Sequence, residues 1–254
     1  MKNNLRQIAV ILSTLGMIII NILADALPIN GTNTAAISDS FHVYFVPAGY
    51  VFSIWGIIYI GLIAYAIYQA LPAQKDNPRL HATGWWVVLG NIFNSAWIFL
   101  WHYKFFPATL LMTALLLVTL IMAYLQLGIG RLAVSSGEKW VVRLPFSIYL
   151  GWATVATIAN ATAVLDYLKW DRFGLSPETW MVIVLGAVVL IGGTMNFIRR
   201  DMAYAAVLLW ALLGIAVKFP ASGIVTIATW SAFGLVVATL LAARLVKRPA
   251  ARTL

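Results

Sequence analysis

Eight apolar runs, all but one long enough to cross a bilayer as a helix, fix most of what this chain can become. They lie at 8–28, 50–71, 83–103, 106–128, 144–166, 179–198, 202–217 and 222–243. A bilayer core takes about 20 residues of helix, and backbone inside hydrocarbon must satisfy its own hydrogen bonds, so such runs read as membrane spans. Composition agrees: the chain is 62% hydrophobic and 10% charged, whereas soluble domains are about one-quarter charged. The expected fold is an all-α polytopic helical membrane protein. The shortest run, 202–217, lies between Asp201 and Lys218, with Pro220 closing the turn to the last run.

The basic residues orient this bundle. With the N-terminus cytoplasmic, the inner segments hold thirteen Lys and Arg and the outer ones four: Lys104, Lys169, Arg172 and Lys218. Such a bias matches the positive-inside rule and places both termini in the cytoplasm. The net charge of +9 therefore reflects topology, and no nucleic-acid partner is expected. Residues 1–26 imitate a secretory signal, with a basic start, an apolar run and Ala24-Asp25-Ala26. The long apolar run and the acid inside the cleavage motif favour a retained helix.

Enzyme chemistry finds little footing. No phosphate-binding loop, dinucleotide fingerprint, zinc-protease helix or nucleophile elbow is present. The absence of Cys excludes disulfides and thiolate sites. His42, His81 and His102 fall at helix ends on both sides of the membrane, so the three cannot share one metal. The chain reads as a non-enzyme without a metal site.

Polar and aromatic groups inside the spans are more telling, because polar groups in hydrocarbon usually face the bundle interior. Asn21 and Asp25 are four apart on the first span. Phe52, Trp55 and Tyr59 form a stripe on the second. Gly90, Asn94, Trp97 and Trp101 form one on the third, and Tyr149, Ala153, Ala156 and Asn160 one on the fifth. In the topology above these stripes converge on the outer half, beneath the long connection 29–48, and loops of that length often act as lids. The expected site is an aromatic cup opening outward, formed by Asn21, Asp25, Trp55, Tyr59, Asn94, Trp97, Trp101 and Asn160. Beside it stands the plainer reading that each Asn is interhelical glue.

Pro47, Gly49, Phe52, Trp55 and Tyr59 also resemble the second-helix motif P-P-G-W-V-F-G-P-V-W-x-x-x-Y of the translocator protein family (TspO/MBR, the tryptophan-rich sensory proteins). Ala48 and Tyr50 replace Pro and Trp of that motif, and the Phe52–Trp55 spacing is one residue shorter. Asn94-Ser-Ala-Trp97 is similar to the family's N-x-x-W. Leu144-Pro145-Phe146 is similar to its L-P-Y, and Ala156–Asn160 to its A-T-Y-L-N with three residues inserted.

The resemblance covers 8–166, implying a TspO-like five-helix bundle over 1–168 and a further three-helix module over 169–254. It implies a receptor or sensor that binds a porphyrin, another haem precursor or a sterol-like molecule under the first loop. The setting it implies is a bacterial plasma membrane. The expected partners are the bilayer and a hydrophobic small molecule, with a homodimer left open. A small-solute transporter is the alternative, since Gly192-Gly193 would let the sixth span flex.

Overall fold

The computed structural model describes residues 2–27, 29–221 and 223–246. All regular structure among them is helical. The eight apolar runs become α1 (Lys2–Ala26), α3 (Ile54–Ala70), α4 (Pro78–His102), α5 (Phe106–Gln126), α7 (Leu144–Tyr167), α8 (Pro177–Ile198), α9 (Met202–Lys218) and α10 (Gly223–Leu245). Two short helices complete the set: α2 (Thr34–Asp39) in the first loop and α6 (Ser136–Glu138) before α7. Six of the spans are long and apolar enough to cross a membrane on length and composition alone. The others are α4, whose Asn91, Asn94 and Ser95 lower its hydropathy, and the shorter α9. The chain is thus a polytopic helical membrane protein.

Local chemistry sets the boundaries. Pro78, Pro107 and Pro177 each sit in a first helical turn, where proline's missing N–H has no intrahelical partner to lose; Pro145 instead follows a π-helical turn, Lys139–Arg143, that leads into α7. Asn77, Ser176 and Asp201 cap the helices that follow them by accepting backbone N–H groups. At three helix ends a basic residue takes the left-handed conformation: Lys104, Lys169 and Arg200. The chain closes there by bonds such as Phe105 N–H to Leu100 O and Trp170 N–H to Leu165 O, and cationic side chains at a helix C-terminus complement its dipole.

Packing ties the last three helices to the first five. α9 lies along α7, where a Cβ on Gly151 would come within 3.0 Å of Val207 Cβ. Tyr204 donates to Thr154 Oγ1 at 3.0 Å. Asp201 Oδ2 accepts from both Tyr124 and Ser147, at 2.8 and 2.6 Å, so one carboxylate joins α5, α7 and the start of α9. α8 packs on α10 and α9 rather than on α7, and that choice leaves a seam between α7 and α8.

A candidate ligand cleft beneath the first loop

One end of the bundle carries the termini; the other carries the first loop, and the expected site residues gather towards that loop end. The chain enters α3 through a 3-10 turn, Gly49–Ser53. Residues three apart eclipse in a 3-10 turn, so the short Phe52–Trp55 spacing brings both rings to one side. Each meets Trp152 edge-on, with centroids 5.7 and 6.2 Å away. Trp97 and Trp101, four apart on α4, stack at 5.2 Å. These rings face small residues of α7, Ala156 and Ala159 among them, across a cavity of about 70 Å³.

The eight expected residues separate into three groups. Trp55, Trp97, Trp101 and Asn160 line this cavity. Asn21, Asn94 and Tyr59 stand behind its wall: Asn21 Nδ2 donates to Asn94 Oδ1 at 2.7 Å, Asn94 Nδ2 donates to the Tyr149 hydroxyl at 3.2 Å, and Tyr59 stacks on Trp55. That relay joins α1, α4 and α7 across the interior. Asp25 is exposed; its carboxylate accepts the Thr34 N–H at 3.4 Å, next to the lid helix. Asn160 contacts the cavity but is bonded to Thr109, at 3.0 and 3.1 Å, and to Thr113. For Asn21, Asn94 and Asn160 the glue reading thus describes what the side chains do.

Trp152, whose role the sequence reading missed, lies on the wall. The α7 residues facing the cavity (Trp152, Val155, Ala156, Ala159, Asn160 and Ala163) form a stripe turned roughly 60° from 149, 153, 156 and 160, at 100° per residue. The available signal was that a Trp next to a helix-packing glycine has a neighbouring helix to meet. Trp97 Nε1 and Trp152 Nε1 are both buried without a hydrogen-bond partner. Both indoles thus border one apolar cavity, and a buried donor left unpaired costs about 1–3 kcal/mol.

A lid closes the cavity. Ile37 of α2 is buried against Trp101, Phe106, Ala163 and Val164. Trp101 Nε1 donates to Thr34 O at 3.2 Å, and Asn30 Nδ2 donates to His102 O at 3.0 Å. Lys218 of α9 pairs with Asp39 at 2.6 Å. α9 also braces the turn below the lid: Ala48 N–H donates to Gly214 O, and Trp210 Nε1 to Val51 O at 3.1 Å. At about 70 Å³ the cavity beneath this lid is far below the 300–1,000 Å³ of ordinary ligand pockets.

Neither a characterised protein nor a solved structure gives a match to the chain. A family model described as TSPO-like protein matches residues 7–243, running through all eight spans. The chain belongs to the TSPO-like protein family.

Proposed function

We propose that the protein is a non-enzymatic membrane receptor or sensor for a hydrophobic ligand bearing hydrogen-bond acceptors, a tetrapyrrole with carboxylate arms being the best-fitting class. The observation that carries this reading is the pair of unpartnered indole N–H groups, Trp97 and Trp152, on the wall of one aromatic cavity. π-Faces supply apolar contact, and the two donors orient the guest. The cavity is too small as it stands, so binding requires the lid to lift from Trp101, His102 and Lys218. The Lys and Arg bias supports placing both termini in the cytoplasm and the lid on the opposite face.

Titration of the purified protein with protoporphyrin, followed by Trp fluorescence, tests the proposal. Saturable quenching is expected, with Trp97→Phe and Trp152→Phe each raising Kd about tenfold, the equivalent of one lost hydrogen bond near 1.4 kcal/mol. Quenching that never saturates, or affinities unchanged in both variants, would overturn it. The transporter alternative drew on Gly192-Gly193, but α8 runs unbroken through that pair. A Cβ on Gly192 would sit 2.9 Å from Leu208, so that glycine serves close packing, whereas one on Gly193 would meet Thr239 at an ordinary contact distance of 3.4 Å.

A further inference from the structure

A larger cavity, of about 250 Å³, lies outside the cleft, in the seam that opens because α8 turns away from α7. Ile158, Ala161, Thr162 and Leu165 line it from α7; Pro177, Trp180, Met181 and Val184 line it from α8. On both helices the spacing is i, i+3, i+4, i+7, so two complete apolar stripes face one another. The α7 stripe lies on a different face from the one that borders the cleft. The first loop roofs the seam, and Val43 touches both cavities.

Charge is distributed unevenly at the mouth of this seam. Its acids are engaged: Asp166 accepts the His42 N–H at 3.1 Å, Asp171 the Phe173 N–H at 3.0 Å, and Glu178 the Tyr44 hydroxyl at 2.8 Å. That bond to a carboxylate raises the Tyr44 pKa above its ordinary value. Arg172 acts on Glu178 through its charge but has no carboxylate within salt-bridge distance among the described residues, and its Nε is buried without a partner. Exposed Lys169 stands three residues away. Trp170 and Trp180 flank the mouth with ring centroids 4.7 Å apart, as aromatic side chains do at the headgroup level.

We infer that the α7–α8 seam is a lateral binding site for an anionic phospholipid of the leaflet at the loop end. One acyl chain lies between the two stripes, and the phosphate rests at Arg172. Apolar walls opening towards the bilayer suit a chain, and an unsatisfied cation at headgroup level suits an anionic head over a zwitterionic one. Half of the site belongs to α8, so it requires the helices beyond the fifth span.

The test is photocrosslinking of the full-length protein in nanodiscs with phosphatidylglycerol carrying a mid-chain diazirine, adducts being mapped by mass spectrometry. Adducts are expected within 158–165 and 180–184, with unlabelled phosphatidylglycerol competing at least tenfold better than phosphatidylcholine or a free fatty acid. Ala161→Phe should abolish them by filling the seam, and Arg172→Gln should keep them but erase the headgroup preference. Adducts confined to other surfaces would overturn the inference. Equal competition by all three lipids against the wild-type protein would do so as well. Protoporphyrin binding is read separately, so failure of either site leaves the other standing.

Discussion

The two ends of the bundle solve the problem of polar groups in opposite ways. At the end carrying the termini, charges are tied down. Arg143 donates to Leu132 O and Leu127 O, Arg199 donates to Ile129 O and lies over the Tyr124 ring, and Arg79 makes a two-pronged pair with Glu138. Gln7 and Gln69 exchange bonds with each other's backbone. Not every group there is paired: Arg6 is fully buried with no partner for its guanidinium among the described residues, and Arg143 Nε and Gln69 Oε1 also lack one. At the loop end aromatic rings cluster among the charges around two cavities, and the buried unpaired nitrogens include the indole N–H groups of Trp97 and Trp152 and the Nε of Arg172. Dense hydrogen bonding ties down most polar groups of the first end, whereas spare donors beside open volume suit the second to a guest.

Substitutions that empty the terminal end should therefore cost the fold most. Asp201→Ala strips the acceptor from Tyr124, Ser147 and two backbone N–H groups. It should lower unfolding free energy by about 3 kcal/mol, measured by SDS titration of helical signal. Gly130→Ala comes next, at about 2 kcal/mol: its φ is +77°, and a Cβ would overlap the Arg199 carbonyl. The loop end should respond differently. Trp97→Phe removes a donor that has no partner, so the same titration should shift by at most about 0.5 kcal/mol, even though ligand affinity falls. A loss above about 2 kcal/mol in that variant would break the contrast between the ends. The smallest effect belongs to Lys218→Ala, whose pair with Asp39 is surface-exposed. It should alter stability by about 0.3 kcal/mol or less while speeding proteolysis within 29–48.

The spans were legible because length and hydropathy in a membrane leave few alternatives. Even the shortest apolar run appears, as α9, where Asp201 and Lys218 bracket it, the acid capping its start. The Asn residues were placed on the correct interior faces, but periodicity cannot tell a side chain bonded across helices from one facing a guest. That depends on partners such as Thr109 and Tyr149, which only the three-dimensional arrangement supplies. Trp152 escaped because the α7 stripe was phased on Asn160, and a helix small on several faces permits more than one phase. The seam was invisible for a related reason: it depends on α8 packing against α10 and α9, a pairing that no local pattern encodes.

The turn at Gly49–Ser53 that aligns Phe52 with Trp55 is braced from outside by α9, through Gly214 and Trp210. A Cβ on Gly214 would collide with Val51, so only the smallest residue lets α9 reach that turn. Chains are made from the N-terminus onwards, so the ribosome has produced five spans before the brace exists. The cleft is finished last, by a helix that does not line it, and a nascent chain stopped after α7 would hold the aromatic rings without the part that sets their alignment.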